Sequence, residues 1–164
     1  METLYAILLS SLSLVCLVAS FLLMRGLFPV QVDRVRQTLE NHWKRSFWIG
    51  LLNTILVTAI VLGLASLAKG APILNILVFG IYGAFLIGLL FGLAAFISHL
   101  AERLYPNLHP VKREVRAGAI FVLAILLPGA GWFLLFPYII SLAIGSALIT
   151  FIQDRRKKAA EEEE

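Results

Sequence analysis

Four long stretches without an acidic or basic side chain, residues 4–24, 47–68, 73–97 and 117–152, constrain this chain more than any other feature. A helix rises about 1.5 Å per residue, so each is long enough to cross the roughly 30 Å of a bilayer's hydrocarbon core. Apolar residues fill 60% of the 164 positions and charged ones only 15%, against roughly 45–50% and about 25% in soluble domains. A water-solvated fold of this size has too little interior to hide that surface. The fold class expected is therefore all-α, a polytopic transmembrane helical bundle.

About five membrane segments are expected, at residues 4–24, 47–68, 73–98, 111–127 and 132–152, within a single domain over residues 1–154. The first has only Glu2 before it and no small-x-small cleavage site, so it reads as a retained span rather than a signal peptide. Lys69-Gly70-Ala71-Pro72 separates the second and third, which makes them a tight hairpin, with glycine ending one helix and proline tolerated at the start of the next. The last stretch is too long for one span and just enough for two short ones. Its strongest helix break is Pro128-Gly129-Ala130-Gly131, with a weaker one at Pro137. A break at membrane depth needs protein or water to satisfy its backbone, so this turn is expected to be packed or near the surface.

The basic residues test that count. Arg25, Arg34, Arg36, Lys44 and Arg45 follow the first span, Arg103, Lys112, Arg113 and Arg116 follow the third, and Arg155, Arg156, Lys157 and Lys158 follow the last. Five crossings place all of these on one side and leave only Lys69 opposite, which fits the cytoplasmic excess of Lys and Arg in membrane proteins. The amino terminus is then outside and the carboxyl terminus cytoplasmic, in a multi-pass cell-membrane protein. An even number of crossings between the second loop and the tail is needed, as a true hairpin or a re-entrant dip. Trp43, Trp48, Tyr105, Trp132 and Tyr138 fall near the segment edges, where amphipathic rings favour the headgroup zone.

In the first loop, Val32, Val35, Leu39, Trp43 and Phe47 recur at spacings of three and four, one stripe of a helix over about residues 31–45. Such a helix lies in the interface plane, or else serves as an amphipathic connector packed on the other loops. Arg34, Arg36, Lys44, Arg45, Lys112 and Arg113 are the expected contacts to anionic lipid headgroups. Tyr105-Pro106-Asn107-Leu108-His109-Pro110 reads as a short extended linker, and residues 155–164 as a charged cytoplasmic tail. The bases lack the aromatic interleaving of a nucleic-acid surface, so no nucleic-acid partner is expected.

Gly80, Ala84, Gly88 and Gly92 recur every four residues in the third span and form a smooth helix-packing face. Close backbone approach there serves either an oligomer interface, by self-association or with other membrane proteins, or packing against this chain's own spans. His99 and Glu102 are three apart, yet the paired histidines of a zinc hydrolase are absent, so no metal is expected. The span cores hold no ionisable relay of the kind that marks pumps and coupled transporters. Asn53, Thr54, Thr58 and Asn75 are expected to make interhelical hydrogen bonds. Cys16 stands alone, which excludes an intramolecular disulfide. No nucleophile elbow, Walker loop or dinucleotide fingerprint is present, so neither catalytic residues nor a cofactor is expected.

The stretch FPVQVDRVRQTLENHWKRSFWIGLL and the closing LLPGAGWFLLFPYIISLAIGSALITF resemble a bacterial membrane module of unassigned function. That module is sometimes found attached to bactofilin-like, polymer-forming cytoskeletal domains; the β-helical bactofilin domain has no counterpart in this sequence. The resemblance implies a bacterial inner-membrane location and an anchoring or scaffold role. With packing devices and a basic face but no chemistry, the chain reads as a non-enzymatic scaffold or accessory subunit. The alternative is a small channel or transporter for a neutral or lipidic solute.

Overall fold

A computed structural model of the chain describes residues 16, 18–67, 73–126 and 131–161, and among them every regular element is helical. The helices are α1 (Val18–Leu27), α2 (Pro29–Asn41), α3 (Trp43–Leu67), α4 (Ile73–Leu104), α5 (Pro110–Leu126) and α6 (Phe136–Glu161). A π-helical turn, Gly131–Leu135, leads into α6. Pro137 has no N–H to return to the carbonyl of Phe133, so an α-helical ladder cannot run unbroken through this point and the turn widens.

Three helical segments are long and apolar enough to cross a membrane, Trp43–Ser66, Ile73–Leu104 and Phe133–Arg156. The expected first span lies largely outside the described residues, as do the Lys69–Pro72 turn and Pro128 and Gly129 of the later break. The expected fourth span is the 17-residue α5, whose first turns carry Lys112, Arg113, Glu114 and Arg116. The described charge-free residues of α5, 117–126, rise about 15 Å.

Proline starts α2, as its fixed φ and missing N–H allow. The expected apolar stripe is present, but Val32, Val35 and Leu39 are buried in protein. Val32 and Val35 pack with Phe91, Ala94 and Ala95 of α4. A second cluster joins Phe21 of α1, Ile97 and Ala101 of α4, Ala117, Phe121 and Val122 of α5, and Ile139 of α6.

Side-chain register fixes the sense of α6. Tyr138 stacks near Trp43 and Phe47, at ring-centroid separations of 6.1 and 5.1 Å. Gly145 meets Gly50, and Ala147, Leu148 and Phe151 share a groove with Asn53 and Val57. Residue numbers thus rise together along α3 and α6. Against α4 they oppose: Ile139 packs with Ile97 and Ala101, Ala143 abuts Gly92, and Ala147 faces the groove beside Gly88 and Ala84. Tyr138, at the start of α6, lies at the level of Trp43 and Phe47.

The far end of the apolar part of α6 returns to α2. Thr150 Oγ1 donates to Thr38 Oγ1 at 2.9 Å, and Arg34 pairs with Asp154 at 3.1 Å. α6 is accordingly the most enclosed of the three long segments, with 56% of its apolar window buried against 6% for α3 and 11% for α4. α6 continues as helix through the basic residues to Glu161, and residues 162–164 of the charged tail lie outside the described residues.

Candidate functional site: an ion-pair network beside two adjoining grooves

The charges that flank the apolar runs come together at one end of the bundle. Glu102 on α4 accepts from Arg36 of α2 and from Arg113 of α5, the latter at 2.8 Å. Arg36 also lies 3.7 Å from Glu40, which pairs with His99 Nδ1 at 2.7 Å. Arg25 approaches Glu114 at 2.7 Å and Asp33 at 3.9 Å. The carboxyl groups of Asp33, Glu40, Glu102 and Glu114 outnumber the three arginines by one. Four helices are tied by a set that is close to neutral, which lets it be partly buried.

Glu114 is the most enclosed member, 8% exposed. Burial pushes its carboxyl above the ordinary value of 4.5, and the nearby Arg25 and Arg113 pull it partly back. Its Oε1 sits close to Arg25 Nε but off the N–H axis, giving an ion pair without a hydrogen bond. Arg25 Nη1 and the buried Ser98 Oγ are likewise without hydrogen-bond partners, and all three residues line a cavity of about 10 Å³. A space of that size suits one water molecule with several polar neighbours.

His99 and Glu102, weighed as a joint acid-base or metal pair, serve different partners here. Among the described residues no group of three or more His, Cys, Asp or Glu side chains is placed to hold a metal ion. Arg36 and Arg113, expected at lipid headgroups, turn inward to Glu102, and the exposed Arg34 faces Asp154. Lys44, Arg45 and Lys112 point outward. Arg116 lies over the Tyr105 ring, 5.9 Å from its centroid.

The small-residue stripe divides. Gly92 packs so tightly on α6 that a Cβ would overlap the Ala143 backbone, whereas a Cβ at Gly80 or Gly88 meets nothing within 4 Å. Packing within the chain therefore accounts for Gly92 and not for Gly80 or Gly88; Ala84 lies with Gly88 on an open groove. At Gly131 of the predicted break a Cβ would crowd the Ala124 and Ile125 carbonyls, while Pro128 and Gly129 lie outside the described residues.

The closest helix crossing lies elsewhere, between α3 and α6. A Cβ on Gly50 would overlap the Ser141 carbonyl and lie 2.7 Å from Gly145 N, and one on Gly145 would overlap the Ser46 carbonyl and lie 2.9 Å from Gly50 N. The signal was present in the sequence as Ser46-x-x-x-Gly50 and Ser141-x-x-x-Gly145, two small-residue pairs with the same spacing. Thr54, expected to bond another helix, instead donates to the Gly50 carbonyl of its own at 2.8 Å. The interhelical hydroxyl bond belongs to Thr38 and Thr150.

Two grooves flank this crossing. One, about 530 Å³, is apolar and lies between α3, α4 and α6, lined by Asn53, Val57, Ala84, Gly88, Leu148 and Phe151 among others. The second, about 750 Å³, is polar and lies between α2 and α6, lined among others by Arg34, Gln37, His42, Gln153, Asp154 and Arg155. Phe151 borders both. Comparison with family models, curated proteins and solved structures finds no match.

Proposed function

We propose that this protein is a non-enzymatic integral membrane scaffold or accessory subunit, set in the cell membrane with its α2 face toward the cytoplasm. The observation that carries the reading is the uneven burial. The apolar windows of α3 and α4 are 6% and 11% buried within the chain, whereas α6 is wrapped by its neighbours. An internally braced end and a bare two-helix hairpin make a platform on which lipid or a partner helix packs. Gly80 gives that hairpin a point where another backbone can come close, since a side chain there would meet nothing of this chain.

Chemical cross-linking and co-purification in mild detergent test the reading. A stoichiometric partner or second copy should be captured by the wild type and lost in Gly80→Leu, with the helical content unchanged. Capture of nothing by the wild type would reject the scaffold role.

The same reading keeps the tail on the cytoplasmic side. It is supported by the contacts of Thr150 and Asp154 with Thr38 and Arg34 of α2, which hold the start of the basic tail beside the bases of the first loop. Single cysteines at positions 69 and 159, probed in sealed vesicles with a membrane-impermeant maleimide, should label from opposite sides. Labelling from the same side would overturn this orientation. The channel or transporter alternative finds little support, because Thr54 is turned to its own helix and Asn53 faces a groove lined mainly by apolar side chains. Solute flux in liposomes that Asn53→Leu abolishes would restore it.

A further inference from the structure

We propose that the two grooves bordering Phe151 form one binding site for an anionic glycerophospholipid, with an acyl chain between α3, α4 and α6 and the headgroup between α2 and α6. The proposal uses the bilayer location of the protein but not its scaffold role.

Three observations support one amphiphilic occupant. The grooves change from apolar to polar across a single side chain: Phe151 is shared, while Leu148 lies on one side and Gln153, Asp154 and Arg155 on the other. Each volume lies within the roughly 300–1,000 Å³ usual for small-molecule pockets. Depth agrees as well. The polar cleft includes His42, beside the start of α3, and the apolar groove is reached at Asn53. The ten residues from Trp43 to Asn53 rise about 15 Å, which is one leaflet of a core of about 30 Å.

Charge selects the headgroup. The cleft holds Arg34 and Arg155 against the single carboxylate of Asp154, a surplus of one positive charge before His42 is counted. Arg34 is paired with Asp154, while Arg155 is exposed at the rim without an ion pair among the described residues. Gln31, Gln37, Asn41 and Gln153 line the same cleft, and carboxamides supply both donors and acceptors for phosphate and glycerol oxygens. A zwitterionic headgroup would bring a cation toward the arginines. Gly88 keeps the apolar part open, since a side chain there would project into unfilled space.

Native mass spectrometry of the full chain, released from micelles containing phosphatidylglycerol or phosphatidylcholine, tests the assignment. The wild type should retain one phosphatidylglycerol at least tenfold more than phosphatidylcholine. Gly88→Leu, whose Cβ meets nothing within 4 Å and whose side chain extends into the groove, should lower retention of both lipids at least fivefold. Arg34→Gln with Arg155→Gln changes the cleft from one surplus positive charge to one negative, and should abolish the preference while leaving Gly88 and the groove intact. Equal retention of the two lipids by the wild type would overturn the proposal. So would a thermal shift reproduced by inorganic phosphate alone, or a cross-linked second copy seated in the groove and displaced by Gly88→Leu. Because Gly80 lies outside the lining, loss of partner capture in Gly80→Leu with lipid retention unchanged separates the scaffold reading from this one.

Discussion

Adding one methyl group at Gly145 should cost more stability than its chemistry suggests. In an unpacked helix interior, Gly→Ala gains about 1 kcal/mol through backbone entropy. At Gly145 the new Cβ would overlap the Ser46 carbonyl and stand 2.9 Å from Gly50 N, both of them backbone atoms that no rotamer change can move. α3 and α6 must therefore separate, and overpacking of this kind costs about 1–3 kcal/mol. Separation also loosens the reciprocal contact of Gly50 with Ser141, so the upper part of that range is expected. The net loss is about 1–2 kcal/mol. Gly80→Ala, where nothing lies within 4 Å, supplies the matched control and should be neutral or stabilising.

Reversible unfolding in mixed detergent micelles, followed by circular dichroism, gives both values under the same conditions. The double variant Gly50→Ala with Gly145→Ala should lose less than the sum of the single losses, because one separation of the helices relieves both overlaps. If Gly145→Ala proved as stable as Gly80→Ala, the α3–α6 crossing and the α6 direction read from it would be wrong.

Glu114→Gln should become more stable relative to the wild type as pH rises above 4.5. A carboxyl whose folded pKa is raised contributes stability that is complete below its unfolded value and is lost as pH climbs through the folded one, and the amide cannot ionise. A pH-independent difference between the two proteins would count against the buried carboxyl. Glu102→Gln should destabilise by about 1–3 kcal/mol, because Arg36 and Arg113 lose their shared partner while only 18% and 16% exposed; partial solvent access keeps the loss below that of a sealed pair. Its recovery in the double variant Glu102→Gln with Arg36→Gln, measured by the same unfolding assay, checks that the loss comes from the uncompensated charge. Thr38→Val removes the bond to Thr150 and should cost about 1 kcal/mol, the order found for hydroxyl bonds between membrane helices; an unchanged midpoint would dismiss that bond as a tie between α2 and α6.

The helices themselves were legible because their signals are local. Charge-free runs located α3 and α4, the three-and-four spacing of Val32, Val35 and Leu39 located α2, and the proline-glycine break located the end of α5. What periodicity could not give was pairing across the chain. Arg36 and Glu102 are 66 residues apart, and nothing in their own neighbourhoods distinguishes an inward arginine from one destined for a headgroup. The same limit applied to the glycines. The longest small-residue stripe, from Gly80 to Gly92, is only partly used, whereas the shorter Ser46–Gly50 and Ser141–Gly145 pairs make the tightest crossing. A stripe states that a backbone can approach closely; the path of the opposing helix decides whether it does.

That path also bears on the route of the last helix. The asymmetry of Lys and Arg favours a tail on the side of the earlier loops, and a hairpin of two short spans is the simplest chain that satisfies it. It is not the only one. α6 starts beside Trp43 and runs obliquely in the sense of α3, and its end meets Arg34 and Thr38 of α2. An oblique helix is tolerable because protein covers it: over half of its apolar window is buried, and Ser141 and Ser146 return their hydroxyls to backbone carbonyls of the same helix. A lipid-exposed span must satisfy its polar groups alone and cross fully. A helix enclosed by neighbours is free of both requirements, so its burial, rather than its hydropathy, is the property that separates α6 from the two helices it crosses.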